Sequence, residues 1–184
     1  NPGSDEINVN YGIYTTDHFK FHFYAFTQAS STPCYENRVP NAGWESNNGI
    51  PNYVVSWGNI FENVWNKEVK ILPGETSRTT LGYEKPPVDY FDSEGKFKVY
   101  ITSLTAGVYG ITYYQSGKKG SIIEVENDYG GFTTFVSSSM QVTAAHEFFH
   151  AVKAGYDWFE DLWWDEATST WIEDEVYDDV NDYR

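Results

Sequence analysis

Covalent cross-linking is excluded first. The chain has one cysteine, Cys34, so no disulfide can form within it, and a lone thiol says nothing about compartment. Cys34 stands in a polar stretch and reads as a bystander. Positive charge is also scarce: 12 Lys and Arg face 27 Asp and Glu over 184 residues, a net charge of −15. A nucleic-acid binder carries the opposite sign, so that partner class is set aside, and an anionic membrane surface would repel the acidic part of the chain. No run of 18 or more apolar residues occurs, so no segment reads as a membrane span. Neither an initiator Met nor a basic-then-apolar signal precedes Asn1-Pro2-Gly3-Ser4-Asp5, which reads as a processed start. No internal repeat is visible.

Aromatic residues, in contrast, make up 18% of the chain, ample for a core, and the length suits one compact domain, or one and part of another. The acidic excess is uneven. Residues 121–184 hold 15 Asp or Glu against only Lys153 and Arg184, so −13 of the net −15 falls there. Such an excess is ordinarily a solvated face that favours solubility. The functional alternatives are an electronegative cleft for cationic substrate groups, or calcium sites.

The most informative stretch is Val142-Thr143-Ala144-Ala145-His146-Glu147-Phe148-Phe149-His150-Ala151-Val152. Two histidines four apart with a glutamate after the first form the H-E-x-x-H pattern. On a helix, positions i and i+4 lie one turn apart, about 5–6 Å between Cβ atoms, so both imidazoles can reach one Zn²⁺. Glu147 points about 100° around the helix from His146, off the ligand edge but placed to take a proton from a metal-activated water. Val142, Ala145, Phe149, Val152 and Tyr156 follow a helical apolar stripe, and Gly155 is a stop signal. The remaining histidines, His18 and His22, would lie about 13 Å apart along a strand, too far for one metal, and read as structural.

A catalytic zinc needs a third protein ligand and an open position for water. The acidic residues downstream are Asp157, Glu160, Asp161, Asp165, Glu166 and Glu173. Glu166 stands where a loop ends and a second apolar-periodic helix begins, with Ala167 and Trp171, then Ile172, Val176 and Val180. On that helix Asp165 points about 100° away, and Glu173 lies two turns, roughly 10 Å, further along. A third histidine six residues past His150 would give the metzincin pattern, but Tyr156 occupies that place.

Upstream, Phe19–Tyr24 alternates as a half-buried strand, whereas residues 1–18 carry little pattern. Residues 27–52 are a loop by composition. Tyr53, Val54, Trp57, Ile60, Phe61, Val64 and Trp65 mark an amphipathic helix with Pro51 in its first turn. Residues 72–95 form a second loop. Phe97, Val99 and Ile101 predict a second strand, Val108–Tyr114 a third and Ser121–Glu126 a fourth, after a hairpin-like turn at 117–120; Asn127–Gly131 then breaks the pattern. This order predicts an α+β domain, a small mixed sheet packed on an active-site helix with a second, ligand-bearing helix.

The His146–His150 motif and the segment Trp163–Asp174 together resemble the gluzincin metallopeptidases, which carry H-E-x-x-H on one helix and a liganding Glu in an N-E-A-x-S type segment on the next. The resemblance implies a zincin-like fold and a zinc held by His146, His150 and Glu166, the last sixteen residues after His150. It divides the chain into an upper subdomain, 1–155, and the start of a lower one, 156–184. It further implies that residues 121–126 form the upper rim of the cleft, whose edge pairs with extended substrate. In thermolysin-like members an acid four residues past the ligand Glu orients a zinc histidine; here Thr170 stands there, so that role is open.

Asn48–Tyr53, Ile122–Tyr129, Thr143–His150 and Trp164–Tyr177 also resemble a family of inferred secreted bacterial and archaeal metalloproteases, with Asn52 where that family has Asp. This implies export and a domain that runs past residue 184. The pattern Ile172, Val176, Val180, Tyr183 is still open at Arg184, so the lower subdomain reads as missing. The oxyanion donor would lie there, since no His follows His150 and only Tyr177 and Tyr183 remain. The expectation is a zinc endopeptidase acting on protein or peptide substrates with Glu147 as base. The alternative is a non-catalytic binding or adhesion module with a structural zinc, which would have no use for Glu147.

Overall fold

Large apolar residues at alternate positions give a sheet one buried face. The computed structural model describes residues 9–26, 39, 46, 47, 49–114, 121–129, 136–157 and 159–180. Cys34, the expected turn at 117–120, Gly130, Gly131 and Tyr183 fall outside them. In chain order the elements are β1 (Val9–Thr15), β2 (Phe19–Phe26), the short pair β3 (Ser46–Asn47) and β4 (Ile50–Pro51), α1 (Asn52–Glu68), β5 (Phe97–Thr102), β6 (Gly110–Tyr114), β7 (Ser121–Glu126), α2 (Val136–Lys153) and α3 (Leu162–Val176). A 3-10 turn, Val88–Tyr90, interrupts the second loop. The domain is α+β, with a five-stranded mixed sheet in the order β1-β2-β5-β7-β6. Neighbours β2, β5 and β7 run parallel, and β1 and β6 are antiparallel edges.

Phe19, Phe21 and Phe23 of β2, Phe97, Val99 and Ile101 of β5, and Ile123 and Val125 of β7 form the buried face. Onto it pack α1, through Tyr53, Val54, Trp57, Phe61, Val64 and Trp65, and α2. Phe148 is the meeting point: its ring lies 5.3 Å from Phe19, 5.7 Å from Trp65 and 5.9 Å from Phe97. Offset and edge-on aromatic contacts at such distances add to the burial of the rings. α2 is buried on more than one stripe, and it starts at Val136, before the periodic stretch from Val142. Tyr156 lies past its end and is exposed.

Three expectations need correction. The second apolar helix, expected to continue through Val180, ends at Val176, where Tyr177 leaves helical geometry (φ −134°, ψ 60°). β1 was not visible in the sequence. Its core side offers Gly12 because the Phe23 ring occupies that space: a Cβ on Gly12 would lie 2.3 Å from Phe23 Cζ. Tyr11 and Ile13, on the other face, are about half exposed, so the apolar alternation is inverted. Residues 121–126 were expected to be the cleft rim, yet β7 is hydrogen-bonded on both sides, to β5 and β6. The edge strand is β6, which precedes β7 in the chain but lies outside it in the sheet. No helix among the described residues is long and apolar enough to cross a membrane.

At the end of α1, Glu68 is fully buried and neither carboxylate oxygen has a hydrogen-bond partner among the described residues. Burial pushes its pKa well above the ordinary carboxylate value of 4.5. The folded state therefore holds a proton that the unfolded chain releases above that value, and this stabilisation is lost as pH rises. Urea denaturation of the wild type and Glu68→Gln over a pH series should show the variant gaining on the wild type from about pH 5 upward, by at most about 1.4 kcal/mol per pH unit. Parallel pH dependences would refute the buried neutral acid.

Candidate metal centre

One helical turn separates His146 from His150 on α2, and their ring centroids are 4.8 Å apart. The Nε2 atoms of both turn toward the N-terminal part of α3, where Glu166 lies: 3.2 Å from His146 Nε2 to Oε2, and 3.7 Å from His150 Nε2 to Oε1. One donor atom from each of the three residues falls within 4.8 Å of the others. A tetrahedral site with ligand distances of about 2.0–2.1 Å has edges of about 3.4 Å. The two His–Glu separations lie near that edge, so the three residues are compatible with a metal ion. Asp157, Glu160 and Asp161 lie in the exposed connection before α3 or at its start, and none joins this group. His18 and His22 are elsewhere, His18 bonded to Glu62 at 2.7 Å and stacked on Trp65, His22 stacked on Tyr100.

The remaining competitors have a different place from the expected one. Asp165 Oδ2 lies 2.8 Å from His150 Nδ1, and Glu173 Oε1 lies 2.6 Å from His146 Nδ1. α3 runs alongside α2, so carboxylates two turns apart on α3 reach histidines one turn apart on α2. The helical offset that should have removed Glu173 from the site instead carries it to the other histidine. Each Nδ1 thus has a carboxylate within hydrogen-bond distance, which orients the ring and turns each Nε2 toward Glu166. Thr170 is exposed, and the carboxylate beside His146 Nδ1 is that of Glu173. Lys153, in the last turn of α2, bonds Asp165 Oδ1 at 2.5 Å and Thr168 Oγ1 at 2.7 Å, tying the two helix ends together.

Burial pulls the His146 imidazole down, but the Glu173 hydrogen bond and the charges of Glu147, Glu173 and Glu166 lift it above the ordinary histidine value. His150 is held below that value by burial and by neighbouring His146, so it is neutral, as a metal ligand must be.

Glu147 faces a cleft of about 500 Å³ between α2, α3 and β6. Burial pushes its carboxyl up to about 7. Its backbone carbonyl and Oε2 both lie 2.7 Å from Thr112 Oγ1 on β6. Gly110, one pleat earlier, leaves room for it: a Cβ there would stand 2.7 Å from both Glu147 Cγ and Thr143 Cγ2. Tyr114, at the far end of β6, donates to the His150 carbonyl at 3.2 Å. Thr112, Gly110 and Tyr114 were not legible as site residues. Their only mark in the sequence is strand alternation, which any sheet residue shares.

Orientation of the imidazoles by carboxylates is commonly worth 10–100-fold in metal affinity. Glu173→Gln and Asp165→Asn should each weaken Zn²⁺ binding by about that factor in a competition titration against a chelator, and His150→Ala should abolish it. Unchanged affinity in both amide variants would overturn the orienting role. α3 buries only Ser169, Ile172 and Val176. Its docking therefore leans on these polar ties, and a metal ion bound at the donor set would add to them by offsetting Glu147, Glu166 and Glu173. Chelation should speed amide hydrogen exchange in α3 while leaving the centre of α2 protected; equal protection with and without metal would contradict this. Compared with protein-family models, with curated proteins and with solved structures, the chain matches none, so the donor set and its surroundings carry the functional argument alone.

Proposed function

We propose that this chain is the catalytic domain of a zinc metallopeptidase of the zincin-like, gluzincin kind. The observation that carries the reading is the convergence of His146 Nε2, His150 Nε2 and the Glu166 carboxylate beside the buried Glu147 in one cleft. Two imidazoles and one carboxylate suit Zn²⁺, which when bound supplies a Lewis acid that polarises a carbonyl and acidifies water.

Glu147 takes a proton from the attacking water and delivers it to the departing amine. Thr112 serves both forms: its hydroxyl donates to the carboxylate, or donates to the backbone carbonyl while accepting from the carboxylic acid. β6 has no strand partner on its outer side among the described residues, and its residues line the cleft, which supports an extended peptide adding there as a further strand. In this reading the substrate is protein or peptide, and the protein acts outside the cell, as the sequence resemblance implies. A purely structural zinc, the other reading, gives no reason for a buried carboxyl held beside the donor set.

Metal analysis of the intact protein should return one zinc per chain. Glu147→Gln should keep the zinc and lose peptide hydrolysis by at least about 100-fold. Thr112→Val should lower kcat by about 10-fold with zinc retained, and Thr112→Ser should restore it. Protein without zinc even after reconstitution, or loss of zinc in Glu147→Gln, would overturn the assignment.

A further inference from the structure

The outward face of α3 carries large apolar side chains where a surface helix is ordinarily polar. Leu162, Trp163, Trp164 and Trp171 are 73%, 67%, 47% and 46% exposed, and Phe159, just ahead of the helix, is 90% exposed. At about 100° per residue, Trp163, Ala167, Trp171 and Trp164 share the side opposite Ser169, Ile172 and Val176, the residues that α3 buries. Contiguous exposed aromatic surface of this kind marks an interaction site, and Trp is over-represented among the residues that dominate binding energy.

Its setting limits the occupant. Residues 157–180 contain ten carboxylates and no Lys or Arg. Glu160, Asp161, Glu166, Asp174 and Glu175 are all exposed around the tryptophans. A second copy of the chain would bring two such faces together and be repelled, and nucleic acid or an anionic lipid surface would be repelled as well. A polypeptide with Lys or Arg beside aliphatic or aromatic residues satisfies both features: the cations meet the carboxylates and the indole faces, and the apolar side chains cover the tryptophans. Glu166, which lines the metal cleft, lies about 60° around the helix from Trp163, so the face borders the cleft.

We propose that the tryptophan face of α3 is a docking surface for cationic, apolar polypeptide segments, which continue from it into the cleft. Trp163 and Trp171 are about 12 Å apart along the helix, a span that about four residues of extended chain cover. That the docked segment belongs to a substrate rests on the metallopeptidase reading; the docking itself does not.

The test uses the wild-type chain and labelled peptides of about twelve residues built from Lys, Leu and Ala, with Gln or Glu in place of Lys as controls. Fluorescence anisotropy should show the Lys peptide binding at least about 10-fold more tightly than the Gln peptide, with no measurable binding of the Glu peptide and progressive weakening by salt. Trp163→Ala with Trp171→Ala should weaken the Lys peptide by at least about 10-fold, and the corresponding Phe pair should bind within about 3-fold of wild type. Both residues are exposed, so circular dichroism and zinc content should be unchanged in these variants.

Equal binding of the Lys and Gln peptides, or no effect of the Ala pair, would overturn the proposal. So would concentration-dependent self-association or oligosaccharide binding that the Ala pair abolishes, since either gives the face to another occupant. Zinc content and hydrolysis, measured separately on the same preparations, show whether a failure lies with the docking or with the peptidase reading.

Discussion

Everything at the candidate site depends on how firmly α2 is seated. Phe148 lies between Glu147 and the second histidine in the chain, and its side chain is wedged among Phe19, Trp65 and Phe97. Because it points roughly 160–200° away from the His146–His150 edge, burying it turns that edge outward. Loss of such a ring from a core costs about 3–5 kcal/mol, so rotation of α2 about its axis is strongly opposed. The aromatic core and the donor set are two faces of one helix, and the packing of the first aims the second.

α3 is held in another way. With few apolar side chains buried against the rest of the domain, it depends on directed polar contacts: Lys153 with Asp165 and Thr168, Glu173 with His146, and Asn63 with Tyr177 at its far end. Such contacts fix register more than they supply stability, since the net gain of a hydrogen bond is about 1 kcal/mol. They also concentrate four carboxylates around two histidines, an arrangement that a divalent cation would balance. The weakly buried helix that brings the third candidate donor is the same one that leaves its tryptophans outward, so the proposed docking face and the candidate metal centre share one element.

The sheet contributes at its edge. β6 supplies the wall against Glu147, with Thr112 as hydrogen-bond partner and Gly110 as the space into which the side chain fits. The strand that closes the cleft is not the one immediately before α2 in the chain. A parallel sheet with an antiparallel edge lets the chain lay down β6 first and then insert β7 between it and β5.

The His146, Glu147 and His150 constellation could be read from the sequence because one helical turn has a fixed geometry: i and i+4 share a face whatever the rest of the chain does. The main strands and α1 were legible for the same reason, as periods of two and 3.6 belong to the backbone. Glu166 was legible only through resemblance, since six carboxylates competed for the place and spacing alone leaves them open. The roles of Asp165 and Glu173 were hidden, because they follow from the path of α3 along α2, and a helix's own periodicity says nothing of where its neighbour lies. β1 was missed because Gly12 exchanged its apolar signal for the Phe23 ring, and β7 was misplaced because order along the chain does not set order across a sheet. Short-range covalent geometry determined the candidate ligand pair and base; the orienting carboxylates, the wall behind the base and the outward tryptophans were decided by contacts between segments remote in sequence, which only packing brings together.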